Sequence, residues 1–580
     1  MQKETFIKQY AAGLNPQQLA AVQAVHGPVL LLAVPGSGKT TVLVTRLGYM
    51  VLCCDVPPAQ ILTMTYTVAA THEMRGRFAA RFGADLAGQM TFRTINGLSA
   101  VILQYYSRVY GRRQPELLTN EGDITRMLTD IWQQVNREFP TESTLKELRT
   151  AITYIKNMAL ADEEIEGLET DLANLPELYR RYQAALKRAG QMDYDDQMVF
   201  ALQILRAAPP VLAYFQQRYK YFCVDESQDT SKIQHEIIRL LAGRSLNLFM
   251  VGDEDQSIYG FRAAYPQALM DFEQVYPGAQ VLLMEENYRS SEEIVAAANA
   301  FVARSRYRRP KTLRATQGAQ CPIEIRRITR REEQIDWLFK EARRGGGETA
   351  VLFRNNESAL PLVDLCERRG VPYRFKKADL TFFTHKIVLD AVDFLRFAYE
   401  PTNGERFLRL YYKFGLAACG ASARTGRPIL EELIRDSETK TRMRESLGDI
   451  YAAFKRIPQL NAADALDAVR HGCGYGAYLN QKGMDTGKLA ILEMLAEQEP
   501  NALRLLDRLE ELRMLIAAKA YVNSDVPFVL STIHSSKGLE YDRVVLLDAF
   551  DGVLPAKPEI CCRTPEDTRQ YEEDRRLFYV

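Results

Sequence analysis

The sequence contains 580 residues, too many for one hydrophobic core, which predicts roughly three or four domains. Hydrophobic residues make up 47% and charged residues 26%, as in most globular proteins, and Lys plus Arg equals Asp plus Glu at 74 each, so net charge gives no indication of a nucleic-acid partner. No apolar run approaches the roughly 20 residues that span a bilayer, and the nine cysteines lack C-x-x-C spacing, so we expect a cytoplasmic protein with no membrane segment and no zinc or iron–sulfur site.

The first predicted element is a nucleotide-binding loop. Residues 29–34 form an apolar run that predicts a buried parallel strand, and residues 42–47 have a helical pattern. The loop between them is glycine-rich, although Ala33 stands where the phosphate-binding pattern usually begins with glycine. Lys39 would contact the β- and γ-phosphates of ATP, and Thr40 would hold Mg²⁺. The predicted phosphate contacts are Pro35, Gly36, Ser37, Gly38, Lys39, Thr40 and Thr41.

A helical insertion is predicted next, over residues 98–195. Its apolar residues have helical spacing, and the stretch is far longer than an ordinary connection between a strand and a helix. Asp193, Asp195 and Asp196 at its end could bind a metal or cap a helix, and we favour capping.

An acidic pair then follows a short apolar strand. Residues 221–224 predict the strand, which ends in Asp225 and Glu226. Asp225 could hold Mg²⁺ through water, and Glu226 could polarise the attacking water. The alternative is that the two carboxylates cap a helix. Together with the upstream loop, the pair predicts an NTPase.

A basic cluster lies further along the chain. Gathered on one face, such residues would suit a nucleic acid, but taken alone we favour a solvated surface. The cluster consists of Arg304, Arg306, Arg308, Arg309, Lys311 and Arg314.

The second half of the chain repeats the alternation of strands and helices. Residues 349–354 and 544–548 predict strands of a second domain that begins near residue 285. Residues 384–524 predict a second helical insertion, in which residues 503–515 are strongly amphipathic.

Six further segments, in order, resemble the motifs of the UvrD/Rep/PcrA group of superfamily 1 helicases, and the resemblance spans nearly the whole chain. They are residues 14–18 (LNPQQ, the Q motif), 224–230 (VDESQDT, motif II), 251–262 (VGDEDQSIYGFR, motif III), 286–290 (ENYRS, motif IV), 531–540 (STIHSSKGLE, motif V) and 572–580 (EEDRRLFYV, the opening of motif VI).

The resemblance implies an α/β protein with two RecA-like parallel-sheet motor domains, each with a mainly helical insertion. The expected division is 1–97 and 196–284 for the first motor domain, 98–195 for its insertion, 285–383 and 525–580 for the second motor domain, and 384–524 for its insertion.

The resemblance also implies a role for several residues around ATP. Gln18 would read the adenine edge, Tyr288 would stack on the ring, and Gln256 would sense the γ-phosphate. Arg289 would supply the positive charge that is worth about 10³–10⁵ in rate, and Glu540 would reach the nucleotide from the second domain. Without the other motifs, Tyr288 and Arg289 could instead be a simple cation–π pair. The predicted catalytic residues are then Lys39, Asp225, Glu226, Gln256 and Arg289, and the predicted Mg²⁺ ligands are Thr40 and Asp225.

Aromatic residues from the same motifs would form a track for single-stranded DNA, since stacking ignores base identity. Phe261 stands where the family usually has tryptophan. The segments at 65–71 and 94–97 depart from the family pattern, which puts the finer DNA contacts in question. The predicted DNA-binding residues are Thr65, Tyr66, Thr67, Thr94, Tyr259, Phe261, Arg262 and His534.

The implied activity is ATP-dependent unwinding of DNA, with 3′ to 5′ movement on single strands, in repair, recombination or replication. Expected partners are single-stranded DNA, junctions with duplex DNA, and repair or replication proteins through the second insertion. A translocase that displaces proteins without processive unwinding, a non-catalytic nucleotide-binding assembly module and a P-loop kinase remain alternatives. Because the sequence ends inside motif VI, we expect this piece to bind ATP and DNA but to hydrolyse ATP slowly.

Overall fold

The computed structural model describes residues 1–243, 246–329, 331–343, 347–376, 379–414, 427–435, 441–484, 486–519, 526 and 528–580. Contacts divide the chain into two compact units. Unit 1 comprises Met1–Glu138, Leu148–Arg326 and Phe550–Val580, and unit 2 comprises Phe139–Glu147 and Arg327–Ala549.

The strands of the described residues are, in chain order, β1 (Val29–Ala33), β2 (Ile61–Thr65), β3 (Thr91–Thr94), β4 (Glu116–Leu117), β5 (Gln191–Met192), β6 (Tyr221–Val224), β7 (Leu248–Gly252), β8 (Gln280–Met284), β9 (Glu286–Asn287), β10 (Arg314–Ala315), β11 (Thr349–Phe353), β12 (Arg374–Phe375), β13 (Phe528–Thr532) and β14 (Arg543–Leu546).

The α-helices are α1 (Lys3–Phe6), α2 (Pro16–Gln23), α3 (Lys39–Cys53), α4 (Val68–Phe82), α5 (Ala84–Gln89), α6 (Ile95–Tyr110), α7 (Glu121–Asn136), α8 (Glu142–Asn157), α9 (Asp162–Glu166), α10 (Leu175–Ala189), α11 (Tyr194–Ala207), α12 (Pro209–Arg218), α13 (Lys232–Ala242), α14 (Gln267–Met270), α15 (Phe272–Val275), α16 (Glu292–Val302), α17 (Arg331–Arg343), α18 (Leu360–Arg369), α19 (Thr381–Thr384), α20 (Lys386–Tyr399), α21 (Gly404–Leu410), α22 (Ile429–Arg435), α23 (Thr441–Arg456), α24 (Ala462–Asp467), α25 (Tyr475–Gln481), α26 (Gly487–Ala496), α27 (Ala502–Lys519), α28 (Ile533–Ser536) and α29 (Pro565–Tyr579).

Unit 1 is built on a six-stranded parallel sheet in the order β3-β2-β6-β7-β1-β8. All five residues of β1 are buried, and alternate side chains enter different cores. Leu30 and Leu32 join one apolar cluster, whereas Val29, Leu31 and Ala33 join another. Both faces of the sheet are therefore covered, as a continuous apolar run predicts.

Unit 2 contains a second, four-stranded parallel sheet in the order β12-β13-β11-β14. Two parallel sheets with helical connections confirm the predicted α/β class. The amphipathic pattern at 503–515 is likewise confirmed, because α27 buries Leu505, Leu509, Leu512 and Ile516 on one side.

The predicted first insertion is helical, with α7 to α10 inside it. α7 buries Ile124, Leu128, Ile131 and Trp132 at helical spacing, as its sequence pattern predicts.

The acidic run at the end of this insertion caps a helix, as favoured from the sequence. Asp193 is the N-cap of α11, and its side chain accepts a hydrogen bond from the backbone N–H of Asp196. The Nζ of Lys156, almost fully buried, lies 2.6 Å from Asp193 and 2.7 Å from Asp196. The ammonium of a lysine thus supplies the positive charge that a metal would have supplied.

The contacts group two segments differently from the expected domain boundaries. Residues 285–326 and 550–580 belong to unit 1, although both were expected in the second motor domain. β8 pairs with β1 of the unit 1 sheet and leads directly into β9, while α29 packs on α16 through Phe301 and Phe578, whose ring centroids are 4.9 Å apart. The predicted boundary between 524 and 525 lies outside the described residues.

α29 also contacts the loop of motif III. The Glu573 carboxylate accepts a hydrogen bond from the backbone N–H of Gly260 at 3.1 Å, and Arg576 Nε donates to the Ser257 carbonyl at 2.8 Å. A Cβ added to Gly260 would meet Glu573 Oε2 at 2.5 Å, so the carboxylate occupies the space that a side chain would need.

No single helix of the described residues is long and apolar enough to cross a membrane. α11 and α12 pass on length and composition only as a pair, and they meet at a bend of 102°.

Candidate nucleotide site and DNA track

The glycine-rich loop joins the end of β1 to the start of α3, as predicted. Gly36 has φ 68° and Gly38 has φ 82°, a left-handed backbone that favours glycine. A Cβ on Gly36 would lie 2.8 Å from the Cβ of Arg289, so the loop also needs glycine for close approach. The Ser37 hydroxyl donates to the Val34 carbonyl at 2.7 Å and tightens the turn. Pro35, Thr40 and Thr41 complete this loop and the first turn of α3.

The Q motif braces the loop from the N-terminus of α2. Asn15 caps this helix, and Gln18 completes a capping box by accepting a hydrogen bond from the Asn15 backbone N–H. The amide Nε2 of Gln18 donates to the Ser37 carbonyl at 2.9 Å. Both ends of this buried amide are therefore engaged within the protein, and its predicted contact with adenine stays a prediction.

The acidic pair follows β6 and faces the loop lysine. Lys39 Nζ lies 3.1 Å from Glu226 Oε2. Burial alone would lower the pKa of Lys39, but the negative charges of Glu226, Asp225 and Asp253 raise it above its usual value. Burial, reinforced by the charge of Glu226 and opposed by Lys39, raises the pKa of Asp225 to about 7. A divalent cation beside Asp225 would favour its ionised form.

A chain of hydrogen bonds connects this pair to motif III. Gln228 donates from its side chain to Glu226, and its amide oxygen accepts from the Asp253 backbone N–H at 3.2 Å. Gln256 Nε2 in turn donates to Asp253 Oδ2 at 2.7 Å. Lys39, Glu226 and Gln256, distant in sequence, are thus joined in one network, and their predicted roles toward a nucleotide stay predictions.

Motif IV is held against the loop by Asn287, which the sequence analysis did not single out. Its Nδ2 donates to the Pro35 carbonyl at 2.8 Å, and its Oδ1 accepts from the backbone N–H groups of Arg289 at 2.9 Å and Ser290 at 2.8 Å. The Tyr288 backbone N–H donates to the Gly36 carbonyl at 3.0 Å. The sequence did offer one indication of this role, because Asn287 is a polar residue directly before the predicted Tyr288–Arg289 pair.

The Tyr288 ring is exposed beside the loop, as a stacking surface must be. Its side chain is 40% exposed. The hydroxyl donates to Glu286 Oε2 at 2.6 Å and accepts from Asn15 Nδ2 at 2.9 Å, which fixes the ring edge between motif IV and the Q motif.

The predicted DNA residues of unit 1 form an aromatic ladder. Tyr66 and Tyr259 are stacked, with centroids 6.2 Å apart and planes 10° apart, and Phe261 meets Tyr259 at 6.1 Å. The Arg262 guanidinium lies 5.5 Å from the Tyr259 centroid and 5.4 Å from that of Phe261. Phe261 is 44% exposed and available to a further ring.

The three threonines predicted beside this ladder have structural roles that the sequence analysis did not assign. Thr67 caps α4 and Thr94 caps α6. The Thr65 hydroxyl bonds to the Thr67 carbonyl at 3.0 Å. Thr65 ends β2 directly before Tyr66, and the contact of the three threonines with a DNA backbone stays a prediction.

Two predicted site residues belong to unit 2. His534 lies in α28, immediately after β13, and Glu540 is an exposed residue between α28 and β14. Their predicted approach to DNA and to the nucleotide stays a prediction.

The interpretation of the basic cluster as a solvated surface is wrong for three of its members. Lys311 is fully buried, and Arg308 makes a two-pronged contact with Asp255 at 3.0 to 3.2 Å. Arg309 donates to the carbonyl of Leu269 at 2.9 Å. The carboxylates and carbonyls that bind these cations come from distant segments, which no local charge count could identify.

Within the part of the chain that the structure describes, one group of carboxylates, Asp253, Glu254 and Asp255, is close enough to share a metal, but Lys311 lies at its centre. Asp225 follows β6 and Thr40 lies in the first turn of α3, and their predicted contact with Mg²⁺ stays a prediction.

A parallel sheet with a glycine loop at the end of β1, an acidic pair at the end of β6 and a lysine joining them defines a P-loop nucleotide-binding protein. The sequence matches the UvrD/REP helicase N-terminal domain over residues 14–277 and the UvrD-like helicase C-terminal domain over residues 282–438 and 490–580. The chain belongs to this UvrD/Rep-like helicase family.

Several relatives are similar along almost the whole chain. "ATP-dependent DNA helicase PcrA" of Leuconostoc citreum is 28% identical over 613 residues, which cover 98% of this chain and 80% of the relative. "ATP-dependent DNA helicase UvrD1" of Mycobacterium tuberculosis is 29% identical with the same coverage of both chains. "ATP-dependent DNA helicase PcrA" of Staphylococcus epidermidis is 27% identical, covering 98% of this chain and 81% of the relative.

Proposed function

We propose that this chain is an ATP-dependent DNA helicase that moves 3′ to 5′ along single-stranded DNA. The observation that carries the proposal is the close coupling of two sites on one segment. Gln256 ends the hydrogen-bond network that starts at Lys39 and Glu226, and Tyr259 and Phe261 of the aromatic ladder follow within five residues. Binding or hydrolysis of the nucleotide at this network would therefore move the rings of Tyr259 and Phe261, which are proposed to contact DNA.

The residues of unit 1 suit phosphoryl transfer to water. The loop N–H groups and Lys39 would bind the phosphates, and Glu226, whose carboxylate is held by Lys39 and Gln228, would orient the attacking water. Mg²⁺ bound near Thr40 and Asp225 would neutralise charge on the phosphates. Arg289, whose backbone is fixed to the loop through Asn287, would stabilise the charge that develops on the γ-phosphate.

The ladder suits sequence-independent binding of single strands. Successive bases would stack on Phe261 and its neighbours, with Arg262 contributing a cation–π contact. Relatives named as ATP-dependent DNA helicases support DNA as the substrate. We also propose that His534 contacts DNA and that Glu540 contacts the nucleotide. The proposed substrates include junctions with duplex DNA, the proposed protein partners bind at the second insertion, and the proposed location is the cytoplasm. The 3′ to 5′ polarity rests on the family resemblance.

ATP hydrolysis with and without oligo(dT) tests the proposal. Hydrolysis by the chain, even if slow, should rise when oligo(dT) is added and should be lost in Lys39→Ala. Lys187→Ala, which removes an exposed lysine of α10, serves as the control. It should hydrolyse ATP at the unmodified rate both with and without oligo(dT). Hydrolysis that ignores DNA would contradict a motor and favour a nucleotide-binding assembly module.

Duplexes with a 3′ or a 5′ single-stranded tail test direction and unwinding separately. Strand release from the 3′-tailed duplex alone supports the proposal, and release from the 5′-tailed duplex contradicts the polarity. Displacement of streptavidin from a biotinylated single strand without duplex unwinding would instead identify a translocase.

A further inference from the structure

Lys311 lies at the centre of an acidic turn that belongs to motif III. Its Nζ is 3.0 Å from Asp253 Oδ1, 2.5 Å from Glu254 Oε1 and 2.8 Å from Asp255 Oδ2. The side chain is completely buried, and the carboxylates are at most 1% exposed. Charges removed from water to this extent are stable only when they are paired, so the turn depends on this cation.

The carboxylate of Asp253 connects Lys311 to the nucleotide network. Its Oδ1 binds the ammonium and also accepts from the Asp255 backbone N–H at 3.1 Å, while its Oδ2 accepts from Gln256 Nε2 at 2.7 Å. One rigid group therefore has the lysine on one oxygen and the Gln256 side chain on the other. Any rotation of this carboxylate moves the acceptor to which Gln256 is tied.

The remaining contacts of the turn do not reproduce the contact of the lysine with all three carboxylates. Arg308 binds Asp255, the backbone N–H of Arg309 donates to Glu254 Oε1 at 2.7 Å, and Asp253 is left with the charge of Lys39 in the phosphate loop. Without Lys311, Asp253 and Glu254 would be two adjacent buried carboxylates with mutual repulsion. The turn would then rearrange or take up protons, and Gln256 would lose its fixed orientation.

We propose that Lys311 is a positioning residue of the nucleotide site, which holds Asp253 so that Gln256 can detect the γ-phosphate. The inference rests on the proposed role of Gln256. Lys311 acts through Asp253 and does not touch the nucleotide, so its loss should affect discrimination between ATP and ADP rather than general nucleotide binding.

Equilibrium binding of AMP-PNP and ADP with Mg²⁺ tests this without requiring turnover. The ratio of the two Kd values should change in favour of ADP by about tenfold or more in Gln256→Ala, because a hydrogen bond to a charged phosphate is lost. Lys311→Met should give a similar change, and the double variant Lys311→Met/Gln256→Ala should give no further change, since both act on one contact.

Two further variants separate positioning from loss of stability. Lys413→Met removes a lysine of unit 2 that is similarly buried and paired with Asp390, and it should leave the Kd ratio unchanged. Lys311→Met/Glu254→Met removes a buried charge of each sign, which preserves the net charge of the turn. This double variant should fold even if Lys311→Met does not. Its Kd ratio for AMP-PNP and ADP should still change in favour of ADP.

The outcomes distinguish the inference from the proposed function. If Gln256→Ala leaves the ratio unchanged, the proposed role of Gln256 is wrong and the inference falls with it. If Gln256→Ala changes the ratio while the folded Lys311 variants keep the normal value, the inference alone is overturned. A change of equal size in Lys413→Met would also overturn it.

Discussion

Asn287 allows a sharp test of how motif IV is attached to the phosphate loop. Asn287→Ala removes three hydrogen bonds, to the Pro35 carbonyl and from the backbone N–H groups of Arg289 and Ser290. The residue is 3% exposed, so the former partners lose their contacts in a nearly dry site. At about 1 kcal/mol for each bond, with a further penalty for unpaired groups, we expect a loss of about 2–4 kcal/mol in the free energy of unfolding of unit 1.

The same substitution should weaken nucleotide binding, because the Arg289 and Tyr288 backbone would no longer be fixed to the loop. Asn299→Ala is the matched control. Asn299 also uses both ends of its amide, donating to the Leu313 carbonyl at 2.7 Å and accepting from the Leu313 N–H at 2.9 Å, and neither hydrogen bond is made to the loop. It should lower stability and leave binding intact.

Denaturant titration of each variant and fluorescence titration with a MANT-labelled ATP analogue provide the two measurements. We expect at least tenfold weaker binding for Asn287→Ala and unchanged binding for Asn299→Ala. The reasoning is refuted if both variants bind the analogue as tightly as the unmodified protein, or if both lose affinity to the same extent.

Three other substitutions or conditions have defined outcomes. Gly36→Ala should abolish tight binding of the MANT-labelled analogue, because the new Cβ would lie 2.8 Å from Arg289 and alanine is strained at φ 68°; retention of binding would contradict the loop geometry. Phe261→Ala should weaken oligo(dT) binding in an anisotropy titration by about 1–3 kcal/mol, whereas Phe261→Trp should retain it; equal losses would exclude stacking. Because burial raises the pKa of Asp225 to about 7 and Mg²⁺ requires the carboxylate, Mg²⁺-dependent nucleotide affinity should rise between about pH 6 and pH 8, and calorimetry should detect proton release; this pH dependence should be smaller in Asp225→Asn, in which only the phosphate of the nucleotide still titrates.

Local patterns sufficed for the parts of the molecule whose structure depends on neighbouring residues. The apolar run of β1 followed by glycines predicted a buried strand and a phosphate loop, because burial on both faces and a left-handed turn each have a sequence signature. Asp193 was correctly interpreted as a helix cap for the same reason: its partner, Asp196, is three residues away.

Residues whose environment comes from distant segments could not be assigned in this way. Lys311 looked like one of several surface cations, yet its carboxylates lie more than 50 residues earlier in the chain. Asn287 was not singled out within motif IV, although its side chain bonds to Pro35 in the first strand–helix connection. In both cases the signal is tertiary, since burial and pairing appear only when the segments meet.

The contact between α29 and motif III restricts how these two segments can vary. One small volume beside the aromatic ladder holds the Glu573 carboxylate, at the place where a Cβ on residue 260 would lie. A side chain at position 260 is therefore expected to be tolerated best when residue 573 is shortened, because the Glu573 carboxylate must otherwise move aside. A library randomised at both sites would recover such pairs and few single changes at residue 260.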